Sequence, residues 1–443
     1  MSFSQTIRTA KFGFSLLTAI LALPVILDMP VPALWQHCAV LSFFATLAAS
    51  SVVMRRQSWV IVGVLTGVAV LILPQPPSAA ELVAAGDFVL VFGCLLPVLS
   101  LTRATALTMP SVHNTQALLA SLPAHASASG LQLTSHILGG VMNIGTFSLI
   151  SASIPQNADT ARRRLAAEAT LRGMNAAVIW SPFFVSFAVA GVYLPAGYAA
   201  KAILAGILTA SVFFIISVII ASPRQPLSAL ITALKPLQPV ASRLVLIFLS
   251  VIVVGWLFGL TALLAVIVTM PVLCLVQMGR RPVLAPQILS NFTSLQKQSG
   301  DDLVIISMSM IIASLASATP ALDSILGFVF GDDPKVWLMI ISLPVCVWAG
   351  SVLSIHPVIS SAILLAFFAP SLTVFDAIFV MQAHMIGWSA GTMSSISSMS
   401  IVTVASQFRL PAVTLAFGPN LIYSGALAVC GGLFWAGFYQ LMI

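Results

Sequence analysis

Four short polar segments interrupt otherwise apolar stretches of this 443-residue chain, and they hold most of the residues that could bind a solute. Two of them read SHILGGVMNIGT (135–146) and SIHPVISSA (354–362). The other two read NAAVIWSPFF (175–184) and GWSAGTMSSISSMS (387–400). Glycine and proline in such positions end helices, and every helix end leaves backbone N–H or C=O groups without intrahelical partners. These four breaks are therefore the first candidates for a binding site.

The residue types at the breaks are suited to binding an anion or a sodium ion. A helix that begins inside the membrane directs free N–H groups and its positive dipole end at a ligand, so an anion can bind without a basic side chain. Unwound carbonyl groups and hydroxyl groups can coordinate Na⁺. The predicted substrate ligands are His136, Gly139, Gly140, Asn143, Ser181, Pro182, His356, Ser360, Ser361, Ser394, Ser395, Ser397 and Ser398. The predicted ligands of a coupling ion are Asn143, Thr146, Asn175, Ser360, Gly391 and Thr392. No catalytic residue, no cofactor and no metal other than Na⁺ is predicted.

Each break also has a purely structural interpretation. Gly139 and Gly140 could allow two membrane helices to pack closely, as small residues often do. The serine-rich stretch at 394–398 could supply hydrogen bonds between helices, and Pro182 could only kink a helix. The sequence alone leaves both interpretations open.

His136 and His356 lie in the interrupted apolar stretches, and ionisable groups within a membrane are candidates for a function. His136 and His356 could carry a coupling proton, since the pKa of a free histidine is about 6.5, or they could be neutral hydrogen-bonding groups. His384 is expected towards the outer end of its span, in a structural role. No basic residue is expected deep in a span, and the carboxylates are expected near span ends, which favours Na⁺ over H⁺ as the coupling ion.

The composition decides the class of protein. Only 7% of the residues are charged, whereas soluble globular proteins have about 25%. Hydrophobic residues make up 59% of the chain, and the mean hydropathy is +1.09. These values exclude a soluble protein and predict an all-α polytopic membrane protein. The formal net charge of +7 is attributed to basic cytoplasmic loops rather than to nucleic-acid binding.

The positions of the apolar stretches predict about eleven transmembrane helices. They are placed at about 13–28, 33–53, 58–74, 80–101, 174–193, 199–222, 243–258, 260–277, 302–319, 376–407 and 412–440. Two further apolar stretches, at about 115–155 and 336–370, are interrupted by polar residues. We predict that each of these two is a re-entrant hairpin, which enters and leaves the membrane on the same side.

The orientation follows from the basic residues, which concentrate on the cytoplasmic side of membrane proteins. With the N-terminus in the cytoplasm, sixteen of the 18 Lys and Arg residues lie inside, and only Lys201 and Lys335 lie outside. This split requires the first hairpin to open to the cytoplasm. The second hairpin must open to the exterior, after an acidic turn at Asp332 and Asp333. The predicted location is the inner (cytoplasmic) membrane of a cell.

A weak internal repeat supports the same topology. The matching pairs are Gly86-Asp87 and Gly300-Asp301, His136 and His356, Ser181 and Ser397, and Leu194-Pro195 and Leu410-Pro411. The predicted topology gives the two members of each pair opposite directions, and such an inverted repeat is typical of secondary transporters. The predicted organisation is an extra helix (1–31), a first repeat (32–223) with a broken helix at about 172–193, and a second repeat (240–443) with a broken helix at about 376–407.

This organisation resembles that of the ion transporter superfamily, and most closely that of the divalent anion/sodium symporter family. The resemblance covers nearly the whole chain. That family binds Na⁺ and carboxylates with a Ser-Asn-Thr triplet in each repeat. The hairpins of this chain instead carry Gly139 and Gly140 with Asn143 in one half and Ser360 and Ser361 in the other. The resemblance implies a mobile transport unit that moves against a scaffold, and a homodimer.

The expected function is therefore secondary active transport of a small anion, a carboxylate above all, coupled to Na⁺ or H⁺ by an elevator-like mechanism. The expected partners are the solute, the lipid bilayer and a second copy of the chain, with no nucleic acid. Two alternatives stay open: the membrane subunit of a binding-protein-dependent importer, and an exporter of an inorganic oxyanion such as arsenite. An enzyme is not expected, because so few ionisable groups lie within the apolar stretches.

Overall fold

A computed structural model of the protein describes residues 3–73, 75–195, 197–221, 227–317, 319–331 and 334–443, and all regular secondary structure in these ranges is helical. The predicted all-α class is therefore confirmed. The acidic turn that was predicted at Asp332 and Asp333 lies outside the described residues.

The helices vary from five to 24 residues in length. They are α1 (Phe3–Ile26), α2 (Ala33–Val52), α3 (Arg56–Ile72), α4 (Ala79–Val89), α5 (Val91–Ala106), α6 (Pro110–Ala120), α7 (Ala124–Met142), α8 (Gly145–Ser151), α9 (Thr160–Val178), α10 (Val185–Tyr193), α11 (Ala199–Ala221), α12 (Leu227–Leu234), α13 (Gln238–Phe258), α14 (Ala262–Arg280), α15 (Ala285–Gln298), α16 (Gly300–Ser317), α17 (Pro320–Phe330), α18 (Val336–Val352), α19 (Pro357–Phe368), α20 (Val374–Ser394), α21 (Met399–Phe408), α22 (Ala412–Ala416) and α23 (Pro419–Met442).

Seven helices within the described ranges are long and apolar enough to cross a membrane, and an eighth crossing is added if the bent pair Pro282–Lys297 and Gly300–Ala316 is one span. The seven are Gln5–Ile26, Ala33–Val52, Ala79–Ala106, Ala199–Ile220, Ser228–Phe258, Ala262–Arg280 and Pro419–Met442. A multi-pass membrane protein is thus confirmed at this level. The number of about eleven crossings and the two re-entrant hairpins stay predictions, because broken spans fold as shorter helices that are not continuous over the width of a bilayer.

Large apolar side chains point outward from several of the long helices. On α13, Trp256 is 81% exposed and Ile252 is 64% exposed. On α11, Leu204 and Ile220 are also exposed. Contiguous apolar surface of this extent is rare on proteins that are surrounded by water, and it fits contact with lipid.

The chain forms two compact units that interleave along the sequence. Unit 1 consists of Met1–Thr105, Leu263–Pro334 and Ala362–Ser371. Unit 2 consists of Ala106–Ala262, Lys335–Ser361 and Leu372–Ile443. Each unit takes residues from both predicted repeats, and the four polar breaks all lie in unit 2.

Unit 1 pairs its buried charged groups near helix ends. Asp301, in the first turn of α16, accepts hydrogen bonds from Arg55 Nε at 2.7 Å and from Ser58 Oγ at 2.6 Å. A carboxylate in this position also interacts favourably with the positive end of the α16 dipole. Asp87 in α4 accepts from the Gln36 amide at 2.7 Å. These contacts give Asp301 and Asp87 structural partners, and we place no solute site at these two carboxylates.

Unit 2 is built on two closely packed helix pairs, α7 with α9 and α18 with α20. In the first pair, a side chain at Gly173 would collide with the backbone carbonyl of Gln132. In the second pair, a methyl group at Gly387 would lie 2.8 Å from the Pro344 Cα. Since lipid gives no hydrophobic driving force between helices, close backbone approach at small residues is a main source of stability in both pairs.

The contact at Gly173 leads to a prediction about stability. The Gly173→Val variant should lose about 3 kcal/mol or more of unfolding free energy, because the added side chain forces α7 and α9 apart. Gly437→Val is the matched control, since a methyl group there would meet no atom within 4 Å. Thermal unfolding of both variants in detergent measures the difference. Equal melting temperatures would show that the pair tolerates separation.

Candidate functional site

The first hairpin segment has its helix break at Asn143. Helix α7 ends at Met142, Asn143 has a φ of 53°, and α8 begins at Gly145. Asparagine adopts positive φ more readily than most residues. Its side-chain Oδ1 accepts a hydrogen bond from the Ile144 N–H at 2.7 Å, and its own N–H donates to the Gly139 carbonyl at 2.9 Å. The side chain therefore stabilises the turn between α7 and α8.

The second hairpin segment has a comparable break at Ser354. Helix α18 ends at Val352, Ser354 has a φ of 68°, and α19 begins at Pro357. Proline suits this first helical position because it has no N–H to leave unpaired. His356 Nδ1 accepts a hydrogen bond from the Val358 N–H at 3.3 Å. Both segments thus place a non-glycine residue with positive φ at the break.

The segment that is predicted to be the first broken span has its break between α9 and α10, at residues 179–184. Ser181 Oγ donates a hydrogen bond to the Gly140 carbonyl at 2.5 Å and accepts one from the Phe183 N–H at 3.2 Å. The Ser181 side chain is fully buried. Pro182 lies within the break and has no N–H to donate. One hydroxyl group therefore joins the break in this span to the hairpin segment beside it.

The second broken span separates α20 from α21 at residues 395–398. Ser397 Oγ donates a hydrogen bond to the Ser354 carbonyl at 3.0 Å and also contacts Ser395 Oγ at 2.8 Å. Ser398 caps α21 by accepting from the Ile401 N–H at 3.2 Å. The contact from Ser397 to Ser354 is of the same kind as that from Ser181 to Gly140. In both, a serine hydroxyl in a broken span binds the carbonyl of a residue close to a hairpin break.

Asn175 joins the two broken spans to each other. Its side-chain Oδ1 accepts a hydrogen bond from Thr392 Oγ1 at 2.5 Å, and its backbone carbonyl accepts from Ser389 Oγ at 2.7 Å. Its Nδ2 donates to the Leu171 carbonyl at 2.8 Å, and the side chain is fully buried. Asn175 and Thr392, two of the predicted coupling-ion ligands, are therefore bound directly to each other.

Other predicted site residues take part in packing. A methyl group at Gly139 would lie 3.1 Å from Met174 Cγ, and one at Gly140 would lie 2.9 Å from Trp180 Cη2. Gly391 packs against Ser351 and Pro357. These three glycines let helices or aromatic rings approach closely, which is the structural interpretation that the sequence left open.

Several serine hydroxyl groups of the predicted site donate hydrogen bonds to backbone carbonyl groups close to them in the sequence. Ser394 Oγ donates to the Ala390 carbonyl at 3.0 Å, Ser398 Oγ to the Thr392 carbonyl at 2.7 Å, and Ser361 Oγ to the Val358 carbonyl at 3.4 Å. By contrast, the buried Thr146 and Ser360 hydroxyl oxygens have no hydrogen-bond partner among the residues that the structure describes.

The histidines pack edge-on against tryptophans. The ring centroids of His136 and Trp180 lie 5.9 Å apart, and those of His356 and Trp388 lie 6.2 Å apart. The ring centroids of His384 and Trp388 lie 5.6 Å apart. His384 is fully buried in the middle of α20, and its predicted place towards the outer end of a span stays a prediction.

His384 has a defined tautomer. Its Nε2 lies 2.9 Å from the Ser186 carbonyl oxygen. Since a carbonyl oxygen can only accept, Nε2 carries the proton and Nδ1 has a free lone pair. Within the described ranges, neither His384 Nδ1 nor His136 Nδ1 has a hydrogen-bond partner.

Sequence reasoning missed Arg172. Helix α9 begins at Thr160, well before the predicted start of the broken helix, because Asp159 caps it by accepting from the Arg162 N–H at 2.7 Å. Arg172 consequently lies inside α9 and is only 3% exposed, a burial that the sequence did not predict. The sequence feature that indicates the early start of α9 is the capping residue Asp159, followed by an uninterrupted stretch of helix.

The four breaks bring hydroxyl, amide and carbonyl groups of unit 2 into contact with one another. No family model matches the chain, and no curated protein matches it. Groups of three or more His, Cys, Asp or Glu side chains that could hold a metal ion do not occur in the part of the chain that the structure describes. The site is therefore interpreted from its own geometry.

Proposed function

We propose that the protein is a secondary active transporter that carries a small anion, a carboxylate, across the inner membrane. The proposal rests above all on the two serine-to-carbonyl contacts, from Ser181 to Gly140 and from Ser397 to Ser354, which connect four helix breaks within unit 2. Non-helical backbone at membrane depth is tolerated where it lines a cavity or is buried in protein. Paired breaks of this kind are what secondary transporters use to bind solutes.

The proposed mechanism is alternating access. The hairpin segments and the broken spans would move as one element, because Asn175 and the two serines hold them together by buried hydrogen bonds. Such an element can carry a solute between the two faces of the membrane in an elevator-like motion. The proposal includes a homodimer, a cytoplasmic N-terminus and no enzymatic step.

Two kinds of buried group could bind the coupling ion. The hydroxyl oxygens of Thr146 and Ser360, without partners in the described ranges, are suited to Na⁺. The free Nδ1 lone pairs of His136 and His384 are suited to a proton. Both Na⁺ and H⁺ therefore remain part of the proposal, and transport measured under separate Na⁺ and pH gradients distinguishes them.

Uptake by the purified protein in liposomes tests the function. Acetate, succinate, citrate, sulfate and arsenite are offered separately under a Na⁺ gradient and under a pH gradient. We expect accumulation of at least one carboxylate with one of the two gradients. Accumulation by the chain alone would exclude a dependence on a binding protein. Accumulation of arsenite alone, or of no solute under either gradient, would contradict the proposal.

A further inference from the structure

Arg172 is a buried cation whose acidic neighbour, Glu168, forms its ion pair with Arg164 rather than with Arg172. It is 3% exposed, and its Nη1 donates a hydrogen bond to Asn420 Oδ1 at 3.0 Å. The Tyr423 ring lies 4.7 Å from the guanidinium carbon and covers one face of the group. Of the described residues, none accepts a hydrogen bond from Arg172 Nε. A buried charge of this kind is costly unless an anion and hydrogen bonds compensate it.

The buried Glu168 on the same helix interacts electrostatically with Arg172 and lies close to Gly418, and it also pairs with a second arginine. Arg164, Glu168 and Arg172 follow one another at intervals of four residues and therefore share one face of α9. Glu168 Oε1 accepts from Arg164 Nε at 2.8 Å. Two guanidinium groups and one carboxylate leave this face of α9 with a net positive charge, and Arg172 is the more deeply buried of the two arginines.

The N-terminus of α23 adds a second source of positive potential. Helix α23 begins at Pro419, its N-cap is Gly418, and no side chain caps it. Asn420, in the first turn, is fully buried, and its Nδ2 has no acceptor among the described residues. The first turn of a helix presents free N–H groups and the positive end of the dipole. An anion beside Asn420 would therefore interact with both Arg172 and the start of α23.

We propose that Arg172, Asn420 and the N-terminus of α23 bind the carboxylate group of the transported solute. One carboxylate oxygen would accept from Arg172 Nε and the other from Asn420 Nδ2, since neither donor has a partner in the described ranges. The inference rests on the proposed transport function. It adds a positive side chain to a site that the sequence assigned to helix ends and hydroxyl groups alone. Asn175 lies three residues further along α9, about 4.5 Å along the helix axis.

The Asn420→Asp variant tests whether Arg172 binds a ligand or makes only a structural contact. The introduced carboxylate would occupy the place of the amide that already binds Arg172, and it would neutralise the guanidinium internally. We expect the variant to fold with an unchanged or higher melting temperature, because a buried cation gains a counter-charge. We also expect its apparent Kd for a carboxylate to rise about ten- to a hundredfold, because the solute has lost its partner.

The measurement is thermal unfolding in a neutral detergent with increasing sodium acetate, succinate or citrate, against sodium chloride of equal ionic strength. Arg172→Gln should also lose the stabilisation by carboxylate, while Arg162→Gln makes the same chemical change at an exposed position of α9 and should keep it. If Asn420→Asp binds carboxylates like the natural protein, the inference is overturned. The same holds if the natural protein responds to none of the three salts.

Uptake assays keep this inference distinct from the proposed function. Transport of a carboxylate by both the natural protein and Asn420→Asp would overturn the assignment of Arg172 and leave the transport function standing. Binding that depends on Arg172, without uptake under any gradient, would support the site and contradict transport.

Discussion

Replacing Asn175 with leucine should reduce solute uptake at least about a hundredfold while the protein still folds. Leucine is similar in size to asparagine but can neither accept from Thr392 nor donate to the Leu171 carbonyl. Two buried hydrogen bonds are lost, and each contributes about 1 kcal/mol or more. Their loss weakens the contact between α9 and α20. A combined loss of about 2.8 kcal/mol in the transport step corresponds to a factor of about one hundred.

The measurement is initial uptake in proteoliposomes, normalised to folded protein by size-exclusion chromatography. Asn114→Leu makes the same chemical change at an exposed position of unit 2 and should leave uptake unchanged. Thr392→Val, which removes only the hydroxyl group, should reduce uptake by about tenfold. Normal uptake by Asn175→Leu would show that the hydrogen-bonded contact between α9 and α20 has no part in transport.

Removing the two matched serine hydroxyls should have the second largest effect. Ser181→Val and Ser397→Val each delete the contact between a broken span and a hairpin segment. A valine at either place also leaves a carbonyl oxygen without its donor, which costs about 1–3 kcal/mol when the group is buried. We expect each variant to lose about ten- to a hundredfold of uptake.

The double variant tests whether the two contacts belong to one moving element. If both serines act in the same element, the double variant should differ from the sum of the single effects, because residues of one network are not additive. Ser211→Val is the control, since that serine is exposed and its hydroxyl donates to the Ile207 carbonyl of its own helix. Full uptake in both single variants would remove Ser181 and Ser397 from the site.

Composition was sufficient to predict an all-helical membrane protein, and two prolines were sufficient to place two of the four helix breaks, whereas Gly139, Gly140 and Gly391 lie inside helices rather than at breaks. Pro182, Pro357 and the segment around Asn143 lie where helices end. Proline acts on the backbone locally, so its effect can be predicted without knowing the tertiary structure.

The partners of the site residues could not be predicted in the same way. Whether the hydroxyl of Ser394 points at its own helix or at a solute depends on the rotation of α20 within unit 2, which packing decides. Arg172 was missed because basic residues just before it resemble a cytoplasmic loop. Because Asp159 caps the start of α9, the basic residues that follow are helical, and Arg172 is buried within the helix.

The most direct test of the account is cysteine labelling of the two hairpin breaks from each side of the membrane. The central claim is that these breaks belong to re-entrant hairpins that open to opposite faces. In a background without the five natural cysteines, Ile144→Cys and Ile355→Cys are treated with a membrane-impermeant maleimide in intact cells and in inverted vesicles. We expect Ile144→Cys to react from the cytoplasmic face and Ile355→Cys from the exterior. Reaction of both cysteines from the same face would contradict the account.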